Sequence, residues 1–304
     1  MHSIYKYFNF LNMMISIIIT AYREPNTIGK AIESFQNQKL KEKHEIIVVA
    51  PDKETINIAK KYKVKIVKDR NKGKPAALNL VFEATKKSDI LILTDGDVYV
   101  SPNSISNLLK PFTDRSVGAV TGRPISLNRK DDMLGFWSHL LTEVGAHETR
   151  LKLYKKNKFI VCSGYLMAIR NKIINQIPEN ALSDDAVISN LIYSKDYKIA
   201  YSPESLVYVK YPTTFKDWIK QKKRSTGGYL QIKKLAYRKD GMRSFTKEAS
   251  GIIRALKYPK NVKEVHWTIL LISARIYLWI IIFIDLKLKR KNFSDVWQRV
   301  ESTK

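Results

Sequence analysis

The stretch DILILTDGDVY at positions 89–99 decides the fold. Residues 90–93 form a short apolar run, which has the length and the branched side chains of a strand buried on both faces of a sheet. The run leads into Asp95-Gly96-Asp97, two carboxylates around the residue that best permits a tight bend. Ligands of open α/β sheets bind at the carboxyl ends of the strands. This turn is therefore a candidate ligand site.

Working outward from this stretch, apolar strands alternate with amphipathic helices joined by short turns. Such alternation is typical of an α/β fold with a mostly parallel, doubly wound sheet and helices on both faces. Further strands are predicted at 15–20, 44–50, 64–67, 117–121, 198–202 and 206–209, and two more within 158–170 around Gly164. Helices are predicted around 28–35, 76–84, 103–112, 133–149 and 186–193.

The bulk composition is that of a folded, strongly basic protein. The chain has 304 residues, 44% of them hydrophobic, and a formal net charge of +26. Such a charge indicates a polyanionic partner (nucleic acid, an anionic membrane surface or a phosphorylated substrate) unless it reflects only a lysine-rich background. The one cysteine, Cys162, excludes an internal disulfide framework and a cysteine-rich metal site.

Three regions are predicted. Residues 1–13 are expected to be a short N-terminal extension and not a secretory signal, because residues 15–20 lead directly into the α/β pattern. Residues 14–235 are expected to form the main domain. Residues 236–304 are expected to form a helical, membrane-associated region that includes the apolar stretch 267–284.

The apolar stretch would form about 27 Å of helix, close to the thickness of a hydrocarbon core. Arg275 near its middle makes true spanning and surface association almost equally favourable. The basic and aromatic segment 213–239 suits a membrane surface or single-stranded nucleic acid, and the neighbouring apolar stretch favours the membrane. The basic residues within 286–291 are expected to keep this end, and the main domain, on the cytoplasmic side of the cell membrane.

The turn at Asp95-Gly96-Asp97 offers hard oxygen ligands for a divalent cation, which in such sites also takes substrate phosphates. The alternative is a polar turn after a core strand. Lys74 follows Gly73 in a basic turn, where a cation can meet a base or phosphates. No G-x-G-x-x-G pattern follows the first strand, which argues against a dinucleotide oxidoreductase.

Taken in order, the motifs resemble those of the family 2 glycosyltransferases of the GT-A fold, over about residues 14–230. The resemblance rests on ISIIITAYREPNTIGKAIESFQNQ from Ile15, Asp52 after the second strand, KGKPAALN from Lys72, LTDGDV from Leu93, SDD from Ser183 and QKKRS from Gln221.

The resemblance implies a role for each matching residue. The nucleotide sugar would be bound by Thr20, Tyr22, Glu24, Asp52, Lys74, Asp95 and Arg224. The metal, Mg²⁺ or Mn²⁺, would be held by Asp97 together with Asp95. The acceptor would meet Gly164, Asp184 and Gln221, and Asp185 would be the general base. Ser225 replaces the tryptophan of the family's Gln-x-x-Arg-Trp motif, which puts processive polymer secretion in doubt.

The resulting expectation is a membrane-associated, inverting enzyme that moves a sugar from a nucleotide sugar, with a uridine diphosphate sugar as first choice. Its acceptor would be a membrane lipid, a lipid-linked saccharide or a glycan, and no nucleic-acid partner is expected. Two alternatives stay open at this point: a nucleotidyltransferase, which would release pyrophosphate, and a non-enzymatic basic adaptor for membranes or nucleic acid.

Overall fold

The computed structural model of the protein describes residues 13–234, 251–285, 300 and 302–303. Eight strands form one sheet, which we number along the chain: β1 Met14–Thr20, β2 Lys43–Ala50, β3 Lys65–Lys68, β4 Ile90–Asp95, β5 Val98–Val100, β6 Val117–Ser126, β7 Leu166–Arg170 and β8 Lys198–Val209. Their order across the sheet is β3-β2-β1-β4-β7-β6-β8-β5. The first four strands along the chain run parallel, and β7 pairs antiparallel with both β4 and β6.

Helices cover both faces of the sheet. They are α1 Ile28–Gln36, α2 Lys53–Ala59, α3 Lys74–Ala84, α4 Ser104–Leu109, α5 Met133–Leu140, α6 Thr149–Lys155, α7 Asp184–Ser194, α8 Phe215–Lys234, α9 Ile252–Leu256 and α10 Val262–Phe283. A 3₁₀ turn, Lys110–Thr113, follows α4, and a π-helical segment, Leu141–Glu148, joins α5 to α6.

Strand β4 lies at the centre of the core, as its apolar sequence predicts. None of its residues Ile90, Leu91, Ile92 and Leu93 is more than 1% exposed. Ile90 and Ile92 belong to the apolar cluster on one face of the sheet, and Leu91 and Leu93 belong to the cluster on the other. The predicted α/β fold is confirmed. The sheet, predicted to be mostly parallel, is mixed: its first four strands are parallel, and antiparallel pairs occur in its second half.

The second half differs from the prediction in its strands. The predicted strand before Gly164 is wrong, because the backbone there pairs with side chains and not with a neighbouring strand. The Val161 carbonyl accepts from Arg150 Nε at 3.0 Å, and Cys162 N–H donates to Ser189 Oγ at 2.9 Å. The two strands predicted within 198–209 are one continuous strand, β8, and β5 was not predicted.

Helix α8, within the basic and aromatic segment 213–239, is anchored to the domain at its start. Trp218 is only 3% exposed and packs on Trp137 with ring centroids 5.2 Å apart. Phe215 stacks on Trp218 at 5.9 Å and meets Trp137 edge-on at 6.3 Å. The aromatic residues near its start thus hold α8 against α5. Tyr237 and residues 1–12 of the predicted extension 1–13 lie outside the described residues.

Helix α10 begins at Val262, before the predicted apolar stretch. It packs along the domain through one buried face, which includes Leu271, Ala274, Leu278 and Ile282. The carbonyl of Trp267 accepts a hydrogen bond from Trp137 Nε1 at 2.7 Å. Within the described part of the chain it is the one helix long and apolar enough to cross a membrane, with a mean hydropathy of 1.8.

The central position of β4 predicts a large stability effect. Leu93→Ala should lower the free energy of unfolding by about 2–5 kcal/mol, because it removes buried methyl groups and leaves a cavity. Urea unfolding followed by tryptophan fluorescence measures this change. The matched control is Leu127→Ala, since Leu127 is 48% exposed and should change stability by about 0.5 kcal/mol or less. Equal losses in both variants would contradict the assignment of Leu93 to the core.

Candidate active site

An open cleft of about 1450 Å³ lies at the carboxyl ends of β1 and β4. It extends from the turn before α3, past the start of α7, to α8 and α10. Sequence reasoning named twelve site residues. Eleven of them line this one cleft: Thr20, Tyr22, Glu24, Lys74, Asp95, Asp97, Gly164, Asp184, Asp185, Gln221 and Arg224.

Two sets of contacts fix the end of β4 and the turn that follows it: hydrogen bonds from Thr20 and close packing around Gly96. Thr20 Oγ1 donates to the Thr94 carbonyl at 3.0 Å and lies 3.3 Å from Asp95 Oδ1. Gly96 is required here by packing, since a Cβ at this position would collide with the Glu24 carboxylate and the Ala21 methyl group. Glu24 is therefore buried directly against the turn that carries the two aspartates.

Lys74, the first residue of α3, links the two acidic parts of the cleft. Its Nζ is 2.6 Å from Asp95 Oδ1 and 3.3 Å from Asp184 Oδ2. Burial alone would lower the pKa of Lys74, but the charges of Asp184 and Asp95 outweigh it and raise the pKa. Lys74 is thus held as a cation between β4 and α7.

Asp184 and Asp185 form the first turn of α7, where negative charge is favoured by the helix dipole. Burial raises the pKa of Asp184, and the opposing charge of Lys74 offsets only part of this shift. The carboxylate of Asp185 accepts from Gly164 N–H at 3.1 Å and from Ala186 N–H at 2.8 Å, and it also accepts from the Ser183 hydroxyl. These three donors fix its orientation in the cleft.

Tyr165 is a site residue that sequence reasoning missed. It lies half-buried next to Gly164, and its carbonyl accepts from Thr94 Oγ1 at 2.7 Å. Burial raises the pKa of its phenol, the charges of Asp97, Asp95 and Asp185 raise it further, and Arg224 acts in the opposite direction. The available signal is its position directly after Gly164, which the resemblance places at the acceptor.

Helix α8 supplies the basic wall of the cleft. Gln221 Nε2 approaches the Tyr165 hydroxyl at 3.5 Å, and Arg224 lies one helical turn further along. Further along the helix, the Gln231 side chain accepts from Leu182 N–H at 2.9 Å and donates to the Asn180 carbonyl at 2.8 Å. The same helix therefore lines the cleft and contacts the loop that precedes Asp184.

Asp52 is the predicted site residue that does not line the cleft. One of its carboxylate oxygens caps α2 by accepting from Thr55 N–H at 2.9 Å, and the other accepts from Arg23 N–H at 2.8 Å. Partial burial raises the pKa of Asp52, but these hydrogen bonds outweigh burial and lower it overall. Asp52 thus orders the loop in which Arg23 lies over the ring of Tyr22, at 5.4 Å.

Asp95 at the end of β4 and Asp97 in the turn after it suit a cation that binds together with a phosphate-bearing ligand. Among the described residues no group of three or more His, Cys, Asp or Glu side chains could hold a metal ion by itself. Mg²⁺ and similar hard ions bind through one or two carboxylates and complete their shell with phosphate oxygens and water. Asp97 and Asp95 provide such a pair at the edge of the cleft.

Comparisons with known proteins agree with this geometry. The profile of the family described as "Glycosyltransferase like family 2" matches residues 12–228. A Bacillus subtilis protein named "Probable glycosyltransferase YdaM" is 28% identical over 240 residues, which are 73% of this chain and 57% of that protein. The hyaluronan synthase of Streptococcus pyogenes is 27% identical over 166 residues, 51% of this chain and 39% of that protein.

The fold is also shared with a solved structure. A mannosyltransferase from Pyrobaculum calidifontis, in complex with GDP-mannose and Mn²⁺, superposes with a TM-score of 0.60 and 16% identity, covering 94% of this chain and 83% of that one. At this identity the likeness concerns the fold alone. The chain spans about half the length of the curated relatives that it matches. Since the family profile covers most of the chain, the protein belongs to glycosyltransferase-like family 2.

Proposed function

We propose that this chain is a membrane-associated, inverting glycosyltransferase that moves a sugar from a nucleotide sugar to a lipid-linked or glycan acceptor. The observation that carries the proposal is that Asp95 and Asp97 share one cleft with Asp185, with Lys74 linking Asp95 to Asp184. A donor site and a general base are thus within one cavity. Family membership disfavours the two alternatives, a nucleotidyltransferase and a basic adaptor.

The donor is proposed to bind at the ends of β1 and β4. Tyr22 offers an aromatic ring for the base, and each oxygen of Asp52 keeps a second lone pair for a base N–H. Thr20 and Glu24 shape the floor beneath the diphosphate. Lys74 and Arg224 supply the positive charge, and the planar guanidinium of Arg224 can make two parallel hydrogen bonds to phosphate oxygens.

Asp97, with Asp95, is proposed to hold Mg²⁺ or Mn²⁺. When bound, the cation offsets the negative charge that builds up on the leaving nucleoside diphosphate. The choice of nucleotide is open to direct test: the resemblance favours a uridine diphosphate sugar, whereas the solved mannosyltransferase holds GDP-mannose.

Asp185 is proposed to act as the base. A hydroxyl oxygen of the acceptor attacks the anomeric carbon, the bond from that carbon to the diphosphate oxygen breaks, and the hydroxyl proton passes to Asp185. Gly164, Ser183 and Ala186 hold the carboxylate for this transfer. Attack from the side opposite the diphosphate inverts the anomeric configuration. Asp184 and Gln221 are proposed to contact the acceptor from neighbouring positions.

Membrane association is proposed to occur through α10, lying along the surface. Its exposed side is apolar: Val265, Ile269, Ile280 and Phe283 are 42–58% exposed. Its opposite face is buried against the domain, and a helix held in this way cannot cross a bilayer without drawing the polar domain with it. The basic residues within 286–291 support a cytoplasmic position for the domain.

Replacement of the base tests the mechanism. Asp185→Asn should retain nucleotide-sugar binding but lower the transfer rate by about 10²–10⁴-fold, because the amide cannot accept the hydroxyl proton. Single-turnover transfer and equilibrium donor binding measure the two effects separately. The matched control is Asp131→Asn, a surface aspartate 56% exposed on its side chain, which should leave both unchanged. Normal transfer by Asp185→Asn would remove the assignment.

Replacement of the metal ligand tests the donor site. Asp97→Ala should abolish the part of donor binding that depends on Mn²⁺, since the cation loses a protein ligand. Calorimetric titration of uridine and guanosine diphosphate sugars, with and without Mn²⁺, measures this part. Asp114→Ala is the control, because its carboxylate is half-exposed and does not line the cleft. Mn²⁺-dependent binding that persists in Asp97→Ala would refute the metal assignment.

The close packing of α8 on Ser183, which donates a hydrogen bond to Asp185, gives a further prediction. A Cβ at Gly228 would lie 2.5 Å from Ser183 Cβ, so Gly228→Ala must displace either α8 or the residue that donates to Asp185. We expect transfer to slow by about tenfold or more, because small displacements of reacting groups are costly. Gly145→Ala is the control, since its Cβ would meet Leu141 Cδ2 at an ordinary 3.8 Å. Equal transfer rates in both variants would contradict this role.

A further inference from the structure

One charged residue interrupts the apolar helix α10. Arg275 is the only Arg, Lys, Asp or Glu between Glu264 and Asp285. It lies half-buried in the second half of the helix. A charged residue within an apolar, membrane-associated segment is costly, so its presence points to a function in binding.

The position of Arg275 on the helix indicates what it serves. Leu271, Ile272, Arg275, Ile276 and Trp279 line the cleft, and their spacing places them on one side of α10. This cleft is the one that contains Asp95, Asp97 and Asp185. The end of the cleft formed by α10 is therefore an apolar wall with one guanidinium, whereas the opposite end is acidic.

The same end of the cleft carries a second cation. Arg254 of α9 lines it and is already engaged: its Nη2 donates to Thr149 Oγ1 at 3.2 Å and its Nη1 lies 3.6 Å from Glu148. These contacts to the π-helical segment and α6 fix the position of Arg254, which adds positive potential to the cleft. The overall charge of +26 acts in the same direction and attracts anionic ligands.

These features make three demands on an acceptor. A general base at Asp185 is useful only for an acceptor with a hydroxyl group, because a phosphate oxygen needs no deprotonation. The guanidinium of Arg275 lines this end of the cleft and favours an acceptor with an anionic group, since a guanidinium pairs best with phosphate or carboxylate. The apolar wall beside it and the exposed apolar side of α10 require a hydrocarbon chain. A neutral glycan meets only the first demand, and a simple lipid phosphate meets only the other two.

We infer that the acceptor is a saccharide joined through phosphate to a membrane lipid chain, with Arg275 of α10 binding the phosphate. The inference rests on the proposed function and specifies its acceptor. The hydrocarbon chain lies along the apolar wall of α10, the phosphate meets Arg275, and the saccharide extends towards Asp185. Helix α10 is then both the membrane contact and the acceptor site.

The test is a binding experiment without donor, so it does not depend on turnover. Two synthetic probes with the same chain, hexadecyl glucosyl phosphate and hexadecyl glucoside, are titrated into the full-length protein in neutral detergent micelles. Binding is followed by the fluorescence of tryptophan, since Trp279 lines the cleft beside Arg275. We expect the phosphate-linked probe to bind about tenfold more tightly, the effect of a hydrogen-bonded charge pair.

Variants of the same helix locate the effect. Arg275→Gln should abolish the preference for the phosphate-linked probe, and Arg275→Lys should retain part of it. Lys263→Gln is the matched control, because it removes the same charge from an exposed position near the start of α10. The preference should survive in Lys263→Gln. Nucleotide-sugar binding in the presence of Mn²⁺ should be unchanged in Arg275→Gln, which also shows that this variant is folded.

Several outcomes would overturn the inference. Equal binding of the two probes by the wild-type protein would exclude a phosphate site. A preference that persists in Arg275→Gln, or that disappears equally in Lys263→Gln, would assign it to general charge attraction. Weaker nucleotide-sugar binding in Arg275→Gln would assign Arg275 to the donor. Failure of the transferase proposal appears elsewhere, as absence of transfer or of Asp97-dependent donor binding, and does not alter the comparison of the two probes.

Discussion

The structure of the site depends on one half-buried cation. Lys74 lies between Asp95 at the end of β4 and Asp184 at the start of α7, and Asp185 is close enough to raise its pKa as well. Without this charge, the acidic groups of the cleft would repel one another across a partly dehydrated space. The link also joins the parallel half of the sheet to the second half of the chain. One side chain therefore holds the proposed donor and acceptor sides together.

Helix α8 provides the second link between these sides. Gln231 is hydrogen-bonded to the loop before Asp184, and Gly228 permits close contact with Ser183. Gln221 and Arg224, on the same helix, line the cleft. A change in how α8 packs would therefore displace the loop next to Asp185 together with Gln221 and Arg224. This arrangement connects the proposed base with the side chains proposed to bind the diphosphate.

Helix α10 connects the cleft with the exposed surface of the domain. Helix α10 has a buried face towards the domain, a side that lines the cleft and an exposed apolar side. One face of this helix packs against α5 and α8, whereas Ile269, Ile276 and Ile280 on the rest of it are about half exposed. The proposed surface position on a membrane rests on that packed face, because hydropathy alone leaves spanning and surface association nearly balanced: Arg275 offsets much of the apolar gain.

Much of this protein could be read from its amino-acid sequence. The apolar run before Asp95 and the alternation of strands and helices predicted the α/β fold and a ligand site where the strands end. The resemblance of the ordered motifs implied the eleven residues that meet in one cleft. The local sequence pattern could not show that the backbone at 158–162 is hydrogen-bonded to side chains. Nor could it show that Tyr165 lies near three aspartates, or that the carboxylate of Asp52 caps α2. It also could not show which side of α10 carries Arg275 into the cleft. Those features depend on contacts between residues far apart in the chain, which only the tertiary structure decides.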